Sequence, residues 1–267
     1  MRFGLASEGF PTNLDRIDWF TRRVGSAPMY ALWYQDWQST FSAETCRNIE
    51  RVDSAPIITW EPWQASLDDI VDGKHDAYIH QWAKAIEDYG RNVYLRFAHE
   101  MNGTWYPWGN QPQTFRKAWA HVQTIFNQTN AKVWWIWSPN VQFDAASQIK
   151  DYYPSGRVDV IGLDGYNFGG ARWQSFREIF QNTYNVARII APHTPVIVTE
   201  TACADFGGNK ADWIRSAFAR EVPKWLPDFN SVIWFDYEKD ENGVHYDWKF
   251  DSTPEARKAF LAVARKQ

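Results

Sequence analysis

The chain has 267 residues, 45% of them hydrophobic, and its 28 basic and 32 acidic side chains leave a formal net charge of −4. That length suits one barrel of alternating strands and helices, which typically takes about 250 residues, so one domain over residues 1–267 is expected. With no basic patch and no long charge run, nucleic acid has no electrostatic footprint to bind, and a neutral partner is the natural one.

Arg2–Ala6 reads as a first strand. Glu8 interrupts it, and no basic segment followed by an apolar one marks a secretory leader. No apolar run approaches the roughly 18 residues of a membrane span, so no membrane partner is expected. A helix over Leu14–Arg23 is followed by a strand at Pro28–Trp33, a helix at Ala43–Val52 and a strand at Pro56–Trp60. Then come a helix at His75–Tyr89, a strand at Asn92–Phe97, a helix at Thr114–Asn127 and two strands, Lys132–Trp137 and Asp159–Leu163. A helix at Trp173–Ala191, a strand at Val196–Thr199, a helix at Lys210–Glu221, a strand at Ser231–Phe235 and a helix at Pro254–Lys266 complete the chain.

The strands recur at intervals of roughly 26–39 residues with helical periods between most of them. The runs Met29-Tyr-Ala-Leu-Trp33-Tyr34 and Val133-Trp-Trp-Ile-Trp137 are almost continuously apolar, as strands covered on both faces of a parallel sheet must be. The expected class is α/β, a (β/α)8 TIM barrel in a single domain. A doubly wound open sheet would place a glycine-rich phosphate loop after the first strand, and Ala6-Ser-Glu8-Gly9-Phe10 does not match one.

The two cysteines, Cys46 and Cys203, have neither a disulfide framework nor metal-ligand spacing, and two free thiols, or at most one bridge, are expected. Seventeen tryptophans are many for this length. Aromatics fill cores well, but Trp33, Trp37, Trp60, Trp63, Trp105, Trp108, Trp137 and Trp234 all lie at or just past expected strand ends, where a barrel opens to its ligand.

Two of those ends also deliver a carboxylate. The fourth strand runs into His99-Glu100 and the seventh into Glu200-Thr201, so both glutamates overhang the face where barrel active sites sit. Each alone also reads as a structural ion-pair partner, though less well than as a functional group. Together, among aromatics, they suit hydrolysis of a sugar–sugar bond, in which one carboxyl donates a proton to the leaving oxygen and the other attacks the anomeric carbon. Glu100, flanked by Phe97, Met101 and Trp105, suits the acid; Glu200, between the hydroxyls of Thr199 and Thr201, suits the nucleophile.

Metal chemistry fits less well. A zincin helix would need a second histidine where Gly103 stands. After the eighth strand Asp236, Glu238, Asp240 and Asn242 alternate ahead of Gly243 somewhat like a calcium loop, but Lys249 holds the place of its bidentate glutamate. An acidic surface loop, no metal and no cofactor are expected. Further polar strand-end residues are Glu61, Asn140, Asp164, Tyr166, Asn167 and Asp236. Glu61 between Trp60 and Trp63 matches the pairing of aromatic faces with polar acceptors that sugars require.

At these residues the chain resembles glycoside hydrolase family 26, within the clan of retaining (β/α)8 hydrolases. The likeness rests on Arg96-Phe-Ala-His99-Glu100-Met-Asn102-Gly103, Trp105-Tyr-Pro-Trp108-Gly109, Trp137-Ser-Pro-Asn140, Asp159 through Asn167, Val198-Thr-Glu200-Thr-Ala202 and Val232-Ile-Trp234-Phe235. It implies Glu100 as acid/base, Glu200 as nucleophile, Tyr166 as hydrogen-bond donor to the nucleophile, His99 as a subsite and acid-positioning residue, and Trp234 as the platform under the reacting sugar. Arg96, Glu61, Trp63, Trp105, Trp108, Asn140 and Asn167 complete the candidate substrate-binding set.

The family is best known for β-mannanases and also holds enzymes that cleave β-1,3-1,4-glucan and β-1,3-xylan. Its mannanases usually carry a histidine near the end of the third strand. Here Ile58-Thr-Trp60-Glu61-Pro62-Trp63 stands there, which is more similar to the glucan-cleaving members. The expectation is therefore an endo-acting retaining β-glycanase on lichenan-type glucan, monomeric and secreted. The alternatives are an endo-β-1,4-mannanase, a β-1,3-xylanase or a non-catalytic polysaccharide-binding barrel. An unrelated phosphate-sugar barrel enzyme would need a phosphate-gripping loop late in the chain, for which Gly207-Gly208 is a poor match.

Overall fold

The computed structural model describes residues 1–241 and 243–266. All eight expected strands form: β1 (Arg2–Ser7), β2 (Tyr30–Asp36), β3 (Ala55–Glu61), β4 (Val93–Phe97), β5 (Val133–Trp137), β6 (Val160–Asp164), β7 (Val196–Thr201) and β8 (Phe229–Asp236). Each pairs in parallel with the next, and β8 closes on β1 through six register pairs from Arg2↔Ser231 to Ser7↔Asp236. The result is a closed TIM barrel, which removes the open-sheet alternative.

The helices form where the apolar period places them, and local chemistry sets their ends. The helix Asp15–Val24 stops at Gly25, whose φ of 101° is open to glycine without strain. Ser175 and Glu178 form a reciprocal capping box at the start of Phe176–Ile190. The helix expected over Lys210–Glu221 forms and runs on to Trp225: an α-helical segment, Lys210–Ser216, passes through a π-turn at Ala217–Glu221 into a last turn, Val222–Trp225, with helical dihedrals at the junctions. Pro223 accounts for the π-turn, because it has no N–H to give the carbonyl four residues earlier.

The acidic loop expected after the eighth strand is a two-stranded hairpin, β9 (Glu238–Glu241) and β10 (Val244–Asp247). His245 bonds Asp240 and Glu238 at 2.8 and 3.1 Å, and Lys249 bonds Glu238 at 2.8 Å. Asn242, part of the calcium-like spacing, lies outside the described residues.

Most of the strand-end tryptophans are core. Trp33, Trp37, Trp60, Trp108, Trp137 and Trp234 are buried, and of the eight only Trp63 and Trp105 are exposed. Trp37, Trp60 and Trp82 pack face to tilted face between barrel and helices, with ring centroids 4.6 and 4.8 Å apart. Cys46 and Cys203 are both buried free thiols. Among the described residues no helix is long and apolar enough to cross a membrane.

Candidate active site

Glu100 is aimed by an unusual stretch of backbone. Ala98 and Glu100 both have positive φ, 47° and 51°, which is uncommon for side chains other than glycine and is tolerated where surrounding bonds over-determine it. Those bonds are present: Ala98 N–H donates to the Trp60 carbonyl of β3 at 3.1 Å, and Glu100 N–H donates to the Ser138 carbonyl after β5 at 2.7 Å. On the far side, register shifts fall between Leu163 and Asp164 in the β6–β7 pair and between Val198 and Thr201 in the β7–β8 pair. Such irregularities re-aim a side chain, and here they bracket Glu200.

Glu200 is held at both oxygens. The Arg96 guanidinium donates to Oε1 and the Tyr166 hydroxyl to Oε2. Arg96 has no solvent exposure and also donates to Asp164 and to Thr59 Oγ1. Asp164 in turn accepts from Thr199 Oγ1 at 2.6 Å. Buried charge is tolerable when paired and hydrogen-bonded; the two Nη of Arg96 meet both conditions, while its Nε has no partner among the described residues. The expectation that the Thr199 and Thr201 hydroxyls hold Glu200 is therefore corrected. Thr199 is turned to Asp164, and Thr201 Oγ1 is buried without a hydrogen bond among the described residues.

Glu100 accepts from Asn140 Nδ2 at 2.7 Å on Oε1 and from Trp105 Nε1 at 2.6 Å on Oε2. Asn140 is itself fixed by Asn102, which accepts its N–H and donates to its carbonyl, both at 2.9 Å. Gly103 makes room for the indole: a Cβ there would stand 2.4 Å from the Trp105 ring. Burial first, and then the nearby Glu200 charge, push the Glu100 pKa up to about 7. The two glutamates thus occupy different electrostatic settings, one ion-paired to a buried cation and the other inclined to keep its proton.

Both carboxylates open into a cavity of about 730 Å³ walled by Tyr34, Trp105, Tyr166, Phe235 and Trp248. A second cavity of about 500 Å³ shares Tyr34 and contains Glu61 and Trp63. There Trp63 Nε1 donates to Glu61 at 3.2 Å, and burial pushes the Glu61 pKa up to about 7. His99 is buried and lines neither cavity, 3.1 Å from the Tyr106 hydroxyl and 3.8 Å from Glu61; burial and then Arg96 hold it neutral, well below the usual histidine range. A larger cavity of about 850 Å³ lies at the opposite end of the barrel around Arg2, Tyr94 and Trp134. It contains neither Glu100 nor Glu200, so chemistry rather than size locates the site.

Five of the expected sugar contacts are placed differently, buried His99 among them. Trp234 points outward from β8 against Trp213, Phe218 and Phe260, with Nε1 bonded to the Trp248 carbonyl at 2.8 Å. Strand alternation turns its neighbour Phe235 into the cavity instead. Asn167 is buried and spends its amide on Cys203, Gly169 and Gln174. Trp108 is buried under Tyr106 with centroids 4.5 Å apart, and its Nε1 donates to the His99 carbonyl. Arg96 lies beneath Glu200 and acts on it, without exposure to a sugar. Tyr34, Tyr106 and Trp248 are cavity residues absent from the expected set. Tyr34 was one residue beyond the expected end of β2, and Trp248 follows a hairpin read as a loop.

Comparison with known proteins gives one consistent picture. The profile described as "Glycosyl hydrolase family 26" matches residues 48–246. "Endoglucanase H" of Acetivibrio thermocellus is 35% identical over 219 residues, 76% of this chain and 23% of its own length. "Mannan endo-1,4-beta-mannosidase A and B" of Caldalkalibacillus mannanilyticus is 27% identical over 196 residues, 64% of this chain and 34% of its own. The chain thus spans about a quarter to a third of these two relatives. Among solved structures, a Cellulomonas fimi endo-beta-1,4-mannanase double mutant superposes with a TM-score of 0.72 at 17% identity, over 99% of this chain and 70% of that one. The catalytic domain of the Bacillus sp. JAMB-750 endo-beta-1,4-mannanase superposes at 0.71 and 16% identity, over 100% and 85%. At such identities the structures share the fold.

Proposed function

The chain belongs to glycosyl hydrolase family 26, and from that premise we propose that it is an endo-acting retaining β-glycanase that cleaves β-1,3-1,4-glucan of the lichenan type. The observation that carries the reading is the pair of glutamates in one cavity, Glu200 ion-paired to buried Arg96 and Glu100 with its pKa raised to about 7. Protonated Glu100 gives its proton to the glycosidic oxygen as the bond to C1 breaks, and Glu200 forms a bond to C1. Glu100, now ionised, takes a proton from water, whose oxygen attacks C1 and releases Glu200. A binding-only barrel would have no use for this division between two carboxyls.

Two features support glucan. The relative at 35% identity is named an endoglucanase, and Glu61 with exposed Trp63 extends the cleft at the end of β3 where the resemblance would place a histidine in mannanases. Mannan is the second reading, supported by the mannosidase relative at 27% identity. We further propose that it acts as a monomer, and a polymeric substrate suits a secreted enzyme.

The test is hydrolysis of lichenan, barley glucan, glucomannan, galactomannan, laminarin and β-1,3-xylan, with product sizing and proton NMR of the first-formed anomer. The expected result is mid-chain cleavage of lichenan with retention. An inverted first product, or preference for an unmixed mannan, overturns the corresponding half of the proposal.

A further inference from the structure

Tyr34 stands near the end of β2 with its ring packed against His99, Phe235 and Tyr237. Its hydroxyl is buried, yet it makes no hydrogen bond among the described residues. A buried polar group without a partner costs stability and calls for an explanation. The Glu200 carboxylate lies beside it: after burial, that charge is the largest influence raising the Tyr34 pKa. Tyr34 is also the residue common to the Glu100–Glu200 cavity and the Glu61–Trp63 cavity.

Glu200 is therefore flanked by two tyrosines that approach from different strands. Tyr166 follows β6, the neighbour of β7, and has committed its proton to Oε2. Tyr34 belongs to β2, three strands away from β7 around the barrel, and its hydroxyl stands close enough to the Glu200 carboxylate to interact with it without completing a hydrogen bond, which leaves its lone pairs and the aim of its proton open to a substrate group. The carbon that Glu200 attacks is bonded to the ring oxygen on one side and to C2 on the other. A tyrosine oxygen left with only lone pairs suits a ring oxygen that gains positive charge in an oxocarbenium-like transition state. A tyrosine able both to donate and to accept suits a hydroxyl.

We propose that Tyr34 is a specificity-determining residue that hydrogen-bonds the hydroxyl on C2 of the sugar attacked by Glu200, with the glycan chain passing over it into the Glu61–Trp63 cavity. This rests on the glycanase reading and deepens it, because the C2 hydroxyl is the group whose orientation separates a glucosyl from a mannosyl unit. Hydrogen bonds at that position strengthen in the transition state, so the effect falls on turnover more than on binding.

The test compares the unmodified protein with Tyr34→Phe on paired aryl β-oligoglucosides that carry or lack the C2 hydroxyl on the reacting sugar. The expected result is a loss of about 10–100-fold in kcat/KM on the hydroxylated substrate, mostly in kcat, and a change within about threefold on its deoxy partner. The thermal midpoint should not fall, since the hydroxyl removed has no partner in the folded protein. Equal losses on both substrates make Tyr34 a merely structural residue and overturn the proposal, as does full activity on both. If the unmodified protein cleaves neither substrate, the glycanase reading fails and takes this role with it; if it cleaves both and the variant is indifferent, Tyr34 alone is retired.

Discussion

Arg96 donates to Glu200 from a position with no solvent exposure, and its other Nη reaches Asp164, so one buried cation serves two carboxylates. Removing one partner of such a cluster leaves the others charged and desolvated, typically at about 3–5 kcal/mol. Arg96→Met should therefore lower the thermal midpoint by on the order of 10 °C, read by circular dichroism. Arg96→Lys should recover only part of this, because an ammonium cannot span both carboxylates as the planar guanidinium does. A methionine variant that melts with the unmodified protein contradicts this account of the network.

Glu200→Ala is expected to reduce turnover on the order of 10⁴-fold or more while oligosaccharide binding persists, since only the bond-forming group is removed. Azide should restore part of the rate on an activated aryl glycoside and give the inverted product, because it attacks from the face the carboxylate has vacated. Undiminished turnover in this variant removes Glu200 from the mechanism.

Much of this arrangement was legible in the sequence, and the reasons for the misses are local. The eight strands were visible because their apolar runs are short and regularly spaced, and Glu100 and Glu200 because each directly follows such a run. What a linear reading could not supply was side-chain direction. Trp234 and Phe235 are adjacent, and only the pleat of β8 decides that Phe235 faces the cavity while Trp234 meets the helices. Arg96 was placed among the sugar contacts; its position under Glu200 depends on β4 facing β7 across the barrel. Tyr34 was lost to a boundary, since β2 continues to Asp36 rather than stopping at Trp33.

Glu100 should set the basic limb of the pH–rate profile. Its proton is needed for the first step, and with a pKa near 7 the active form is lost as pH rises through that value. Trp105 and Asn140 donate to its ionised form and so hold the pKa down. Trp105→Phe should therefore move the basic limb toward higher pH, and Asn140→Ala should do the same. Glu100→Ala should impair substrates with poor leaving groups far more than activated aryl glycosides; equal impairment would leave no place for Glu100 as the acid.

The same shift has a consequence for stability. A carboxyl whose pKa is raised on folding binds its proton more tightly in the native state, so its contribution is present below the unfolded pKa of about 4.3 and is lost as pH rises through about 7. Ionising Glu100 in place thus costs the fold about 3 kcal/mol at alkaline pH, to order of magnitude. Glu100→Gln keeps the shape without the charge. Denaturant unfolding should show the variant more stable than the unmodified protein at pH 8, with the gap closing toward pH 4. A gap that widens in acid instead has the wrong sign and contradicts a buried, proton-retaining Glu100.

On the proposed glucanase reading, the choice of substrate turns on Glu61. Its carboxyl sits in the cavity next to the reactive pair, accepts from Trp63 Nε1 at 3.2 Å and lies 3.8 Å from His99. With a pKa near 7 it is present in both protonation states around neutrality, so it can donate to a sugar hydroxyl as well as accept from one. The half-exposed face of Trp63 beside it can cover the C–H face of the same sugar. A site built to hydrogen-bond a particular hydroxyl discriminates strongly against a unit that places it elsewhere. Glu61→Ala should therefore lower turnover of lichenan by about tenfold and change mannan turnover much less, so that the two rates converge. A role confined to pairing with His99 predicts a different pattern: a lower thermal midpoint and equal losses on both polymers. Rates on lichenan and glucomannan for the unmodified and variant proteins, set beside their melting curves, separate these outcomes; faster cleavage of mannan than of lichenan by the unmodified protein would put the mannanase reading in place of the glucanase one.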